Sequence, residues 1–262
     1  MLRICDWVMI VINLPTQGFD PTEAVIPWSV LTQHGINVGF ATPDKKPSQA
    51  DKRMVTQGLG LLSPFLMTPK KVLKLYQDMI ETPAFKNPLA YEEIDVEPLQ
   101  GMIFPGGHGE GIKSMLESDI LHQKIVQCFN RNKIIGALCT GVLTVARSID
   151  PQTQKSVLFH KKTTAVTRWM ELSGWYLTRH YFNDYYRVYP ITAQDEIEAL
   201  LNNKNQFVAG GFRVFPMTYT KHFLHYQFTV LDGNYLSGRW PGDCCRFAGD
   251  LLRLVRNQFK EE

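Results

Sequence analysis

The stretch Ile134-Ile135-Gly136-Ala137-Leu138-Cys139-Thr140-Gly141-Val142 decides how this chain is read. An apolar β-strand runs into Ala-x-Cys-x-Gly, and a short helical pattern follows to Ser148. Small residues two before and two after Cys139 permit a sharp strand-to-helix turn, the shape of a nucleophile elbow. Such a turn projects Cys139 at a helix N-terminus, where the positive end of the dipole lowers a cysteine pKa from about 8.5 toward neutrality. On this reading Cys139 is the most reactive of the cysteines. The other reading of the window is a buried cysteine serving as a small hydrophobe.

Working outward, short β-rich runs alternate with amphipathic helical stretches, which argues for βα units around a mostly parallel sheet. Trp7 to Asn13 reads as the first strand, Pro21 to Gln33 as a helix closed by Gly35, and Asn37 to Ala41 as the second strand. Residues 44–98 are rich in Pro, Lys and polar side chains around one helix, Pro69 to Ile80, and read as an insertion or cap over the sheet. Further strands are expected at Gly101 to Phe104 and Lys133 to Leu138, with a helix from Ser118 to Asn130. Later helices are read at Arg168 to Leu177, Thr192 to Leu201 and Asp243 to Phe259, and late strands at Phe207 to Ala209, Gln227 to Leu231 and Tyr235 to Ser237. No repeat or linker divides the chain, so residues 1–262 are taken as one domain.

Two segments add polar chemistry. Pro105-Gly106-Gly107-His108-Gly109 follows a buried strand, and glycines there let backbone N–H groups converge on a developing oxyanion. A phosphate cradle is the weaker reading, because the Gly-x-Gly-x-x-Gly pattern and a Walker lysine are missing and Glu110 repels an anion. His108 is a candidate base or ligand, with a solvated turn histidine as the alternative. Asp20-Pro21-Thr22-Glu23 has the form of a helix cap, with Asp at N-cap and Glu at N3. Pro27, four residues on, cannot donate to the Glu23 carbonyl, so a bend there could turn the Glu23 carboxylate toward the sheet's crevice.

Composition narrows the function classes. The 262 residues are 44% hydrophobic and 20% charged, with 28 Lys and Arg against 25 Asp and Glu, and no basic run exceeds two residues. Nothing points to nucleic acid as a partner, and no apolar window approaches the roughly 18 residues of a membrane span. Five cysteines without Cys-x-x-Cys spacing, in a chain read as cytoplasmic, argue against a disulfide framework or zinc knuckle. His222 and His225 share a side only if helical, so metal ligation is not expected there. Cys244 and Cys245 read as structural, and the aromatic stretch Trp175 to Tyr189 as a packed or dimer-facing surface.

Taken together, Phe104-Pro105-Gly106-Gly107-His108-Gly109, the Ala137 to Gly141 elbow, Glu23-x-x-x-Pro27, and Leu236-Ser237-Gly238-Arg239-Trp240-Pro241-Gly242-Asp243 resemble the ThiJ/PfpI superfamily, a class I glutamine amidotransferase-like group. The resemblance runs in order over nearly the whole chain and is nearest its heat-shock chaperone/glyoxalase branch. It implies a flavodoxin-like three-layer α/β sandwich, a homodimer and no cofactor. It also implies Cys139 as the elbow cysteine, Glu23 as the carboxylate bonded to its sulfur, and backbone N–H groups of Gly107 and Thr140, with Gly106 beside them, facing an oxyanion. Thr140 departs from the histidine that follows the cysteine in glyoxalase-like members, and Ala165 stands after Thr163-Thr164 where other branches carry a second histidine. The expected function is a cysteine-nucleophile enzyme, hydrolase or lyase in type, acting on a small electrophilic carbonyl. The alternative is a noncatalytic stress protein, either a redox sensor through Cys139 or a dimeric chaperone.

Overall fold

A computed structural model describes residues 9–58, 67–211 and 221–261. Its centre is a seven-stranded sheet of β1 (Met9–Asn13), β3 (Asn37–Thr42), β5 (Leu89–Ala90), β6 (Leu99–Phe104), β7 (Ile134–Leu138), β10 (Thr229–Asp232) and β11 (Tyr235–Gly238). The spatial order is β10-β11-β7-β6-β1-β3-β5, and every pair is parallel except β10 with β11. Two small ladders lie apart from it, β2 (Gln17–Phe19) with β4 (Gln49–Ala50) and β8 (Ile149–Asp150) with β9 (Lys155–Ser156).

The central strands are apolar on both faces because both are covered. Ile10, Ile12, Ile103, Ile134, Leu138 and Leu236 pack to one side, under α1 (Pro21–Gln33) and the last helix, α7 (Cys244–Glu261). Val11, Met102, Phe104, Ile135 and Ala137 pack to the other, under α3 (Asp119–Asn130), α4 (Val142–Ala146) and α6 (Ala193–Leu200). This is a three-layer α/β sandwich. The chain leaves β1 toward β3 on one side and returns with β6 on the other, so the C-terminal ends of β1 and β6 flank a topological switch point, where open α/β sheets form their crevices.

Within residues 44–98, α2 (Lys70–Ile80) packs on α1, and β5 extends the sheet beyond β3. The helix α5 runs from Arg168 to Phe182, longer than the sequence pattern indicates. The strand expected at Phe207 to Ala209 does not form. Phe207 makes a single parallel bridge to Thr163, and the left-handed Gly210 (φ +70°) ends the extended run. Trp7, Val8 and Cys5 fall outside the described residues, as does the side chain of His222. Among the described residues no three His, Cys, Asp or Glu side chains gather as metal ligands, and no helix is long and apolar enough to cross a membrane.

Candidate active site

Cys139 follows β7 directly and takes a left-handed backbone, φ +53°, a conformation that costs a non-glycine residue on the order of 1–3 kcal/mol. The tightness of the turn explains Gly141, where a Cβ would sit 2.3 Å from the Phe104 carbonyl oxygen. The neighbouring turn is held equally closely. Phe19 bridges Gly107, the Asp20 N–H donates to the Gly106 carbonyl (2.8 Å), and a Cβ on Gly107 would lie 2.1 Å from the Gly18 oxygen.

Glu23 lies in the first turn of α1 and is wholly buried. Its Oε2 accepts the Gly106 N–H at 2.6 Å, while Oε1 has no hydrogen-bond partner, and the Cys139 thiol and the carboxyl influence each other's titration. The structure therefore brings together Cys139, Glu23, Gly106, Gly107 and Thr140. Two of the three backbone donors are engaged, however. Gly106 N–H is on Glu23 and Gly107 N–H donates to Thr140 Oγ1 (3.0 Å), while the Thr140 N–H favours the ionised Cys139 sulfur. The Thr140 hydroxyl in turn donates to the Gly107 carbonyl at 3.1 Å. In so buried a crevice an unpaired N–H is costly, so the chain satisfies the Gly106 and Gly107 donors internally.

The thiol differs electrostatically from the sequence expectation. Burial pushes Cys139 well above the usual cysteine range, and the Glu23 charge adds to this against the opposing Thr140 N–H. The residue is only 4% exposed, and α4 spans five residues, so desolvation outweighs a short helix's dipole. Burial likewise raises Glu23 well above a carboxylate's ordinary value, with Asp20 contributing. Two anions in one dry crevice cannot both form cheaply, so thiol and carboxyl titrate as a pair. The other described cysteines are core residues (Cys128, Cys244) or half-buried (Cys245).

Sequence reasoning missed the groups around this pair. Asp20 reads as a helix cap and is one, since its Oδ1 accepts from the Thr22 and Glu23 N–H groups. Its Oδ2 is nevertheless buried without a partner, and burial pushes its pKa up to about 7. Glu171 of α5, also raised to about 7 by burial, adds its charge to those acting on the thiol. His108 turns toward Asp51, with Nδ1 3.8 Å from Asp51 Oδ2 and no hydrogen bond, and burial lowers its pKa against the opposing Asp51 charge. Tyr185 donates to Asp51 Oδ2 (2.5 Å) and stacks on His108, while Tyr186 meets His108 edge-on at 4.7 Å. The aromatic stretch thus folds partly over the site, leaving Tyr176, Leu177 and Tyr181 exposed.

Asp20 gives a test by pH. Its carboxyl titrates near 3.8 in the unfolded chain and about 7 in the folded one, so its contribution to stability is full below about 3.8, declines as pH rises toward 7 and then levels off. Asp20→Asn keeps the cap and removes the titration. Relative to wild type, it should gain roughly 2 kcal/mol of stability between pH 5.5 and 8.5 in urea titrations. Parallel stability profiles would show that Asp20 is already ionised in the folded protein at the lower pH.

The fold and site have relatives. An uncharacterized protein of Schizosaccharomyces pombe, C14C4.04, is 26% identical over 145 residues, 52% of this chain, and the chain spans about half (53%) of that curated relative's length. Glyoxalase III from Candida albicans superposes with a TM-score of 0.66 at 17% identity, over 94% of this chain and 96% of that one. The Rapid Encystment Protein 24 kDa of Francisella tularensis gives 0.65 at 16%, over 94% and 98%. At these identities the likeness to solved structures is one of fold. The family model described as ThiJ/PfpI family-like matches residues 14–211, most of the sheet together with the elbow, the Gly106-Gly107 turn and Glu23, and the chain belongs to that family.

Proposed function

We propose that this protein is a cysteine-nucleophile enzyme, hydrolase or lyase in type, acting on a small metabolite with an electrophilic carbonyl or related carbon. The observation that carries the reading is the strained Cys139 elbow set against a buried Glu23 whose second oxygen is fixed by the Gly106 N–H. The Cys139 sulfur bonds to the electrophilic carbon as the C=O π pair moves onto oxygen. The thiol proton passes to Glu23, which returns it to that oxygen or to a leaving group. Thr140 cannot serve as a base near neutral pH, and its hydroxyl is tied to Gly107.

Methylglyoxal conversion should accordingly be slow, since loss of general-base assistance costs about 10²- to 10⁴-fold. The experiment compares wild type, Cys139→Ala, Thr140→His and His108→Ala on methylglyoxal and a panel of esters and other carbonyl compounds. Panel turnover lost in Cys139→Ala, with methylglyoxal turnover gained only in Thr140→His, is the expected result. Fast wild-type methylglyoxal turnover abolished by His108→Ala would make His108 the base and overturn the Glu23 assignment. Wild type inert to every compound, with Cys139 converted to a sulfinate by peroxide, would favour the redox reading.

A further inference from the structure

Resting on the cysteine-nucleophile reading for the thiol it guards, we propose that residues 183–190 form a lid over the Cys139 crevice, hinged at Asn183 and latched by Tyr189 and Arg147 to the helix that follows the elbow. Cys139 is 4% exposed and Glu23 is wholly buried, so a small carbonyl compound reaches the thiol only when a covering segment moves. The turns that build the crevice have little room to give way. A Cβ on Gly106, Gly107 or Gly141 would lie 2.7, 2.1 and 2.3 Å from its nearest neighbour.

The segment lies across the glycine turn. The Gly109 N–H donates to the Tyr185 carbonyl at 3.0 Å, and the rings of Tyr185 and Tyr186 cover His108 at 5.2 and 4.7 Å. Gly106 of the same turn adjoins the cysteine itself, since a Cβ there would lie 2.8 Å from the Cys139 Cβ. Residues 183–190 form neither helix nor strand, and they brace themselves: the Arg187 N–H donates to the Asp184 carbonyl at 2.8 Å, and the Arg187 guanidinium to the Pro190 carbonyl at 2.5 Å. A segment held in this way can swing as a unit.

Its two ends differ. At Asn183, where α5 stops, φ is +51° and ψ is −128°, a backbone suited to glycine and strained for asparagine, and opening the lid would release that strain. Beside it Asp184 accepts the Trp175 Nε1–H of α5 at 2.9 Å, which keeps this end in place. At the other end the Tyr189 hydroxyl accepts from Arg147 Nη1 at 2.9 Å and donates to Glu117 Oε1 at 2.6 Å, with the guanidinium over the ring at 4.2 Å. Arg147 caps α4, the helix that begins just beyond the elbow, and both oxygens of Glu196 hold it at 2.6 and 2.9 Å. Tyr189 can therefore leave without stranding the arginine's charge.

The probe is methyl methanethiosulfonate, with modification read by peptide mass: an S–S bond forms at the cysteine, methanesulfinate leaves and the thiol proton goes to the buffer. Tyr189→Phe keeps the ring, loses both hydroxyl bonds and should label Cys139 about tenfold faster than wild type. Asn183→Gly relieves the hinge in the closed form and should label Cys139 about fivefold more slowly. Cys245, half-buried at the start of α7 on the opposite layer, should keep its rate in both. Hydrogen exchange reads the same motion without the thiol. In Tyr189→Phe the Gly109 amide, bonded to the lid, should exchange about tenfold faster, while the adjacent His108 amide, bonded to the Gly18 carbonyl at 3.2 Å, should not change. Cys139 labelling unchanged in both variants would overturn the lid. So would Cys245 labelling or His108 exchange accelerated by the same factor, which would make the segment an integral part of the fold. Gated labelling in a protein that p-nitrophenyl acetate never acylates at Cys139 would keep the lid and overturn the cysteine-nucleophile reading.

Discussion

Replacing Arg239 by Met should destabilise the protein by about 3–5 kcal/mol, with a melting temperature lower by on the order of 10 °C in calorimetry. Arg239 and Asp243 form a fully buried pair, with Nε on Oδ2 at 2.8 Å and Nη2 on Oδ1 at 2.9 Å. Asp243 also accepts the Phe228 N–H at 2.8 Å, and the guanidinium reaches the Gly211 carbonyl at 3.0 Å. The pair stands at the end of β11, beside the end of β7 that launches the elbow. Met fills much of the arginine volume but leaves a carboxylate in the interior with no counter-charge, which costs far more than the pair itself contributes. Adding Asp243→Asn to Arg239→Met should recover most of the loss, because the amide oxygen still accepts backbone N–H groups without a charge. A single variant within about 1 kcal/mol of wild type would show that the interior tolerates the lone carboxylate.

Glu23→Gln carries the largest expected effect on chemistry. The amide oxygen can still take the Gly106 N–H, so the turn should keep its shape, but no group remains to receive the thiol proton. Acylation of Cys139 by p-nitrophenyl acetate at pH 7 should fall about 10²- to 10⁴-fold, the range for removing a positioned base. Unchanged acylation would leave Glu23 with its place in the first turn of α1 and nothing more.

The legible parts of this molecule are those specified locally. The Pro21 to Gln33 helix follows from Asp20 at its cap, Pro21 in its first turn and the break at Gly35, and the observed helix has those bounds. The Cys139 elbow follows from small residues on either side of the cysteine, which the turn requires sterically. What the sequence could not reveal depends on partners far away in the chain. Tyr185 meets Asp51 across 134 positions, and nothing local in Trp175 to Tyr189 tells that two of its tyrosines close on a histidine. The thiol's environment departs from the sequence expectation for the same reason. A helix N-terminus is visible in sequence, whereas burial of the sulfur, within the electrostatic influence of Glu23, Asp20 and Glu171, emerges only when α1, β7 and α5 come together. One orphaned signal was available: Asp20 and Glu23 stand three residues apart on the same helical turn, so a cap serving one places the other beside it.

Whether Glu23 and Cys139 hold their protons as one unit is measured most directly by the rate of thiosulfonate labelling at Cys139 between pH 5 and 11. Wild type should titrate in two macroscopic steps, one for each proton leaving the pair, and Glu23→Gln in a single step. The same one-step curve in both proteins would contradict a shared proton, because it would mean that the carboxyl neither shares nor shifts the thiol's proton.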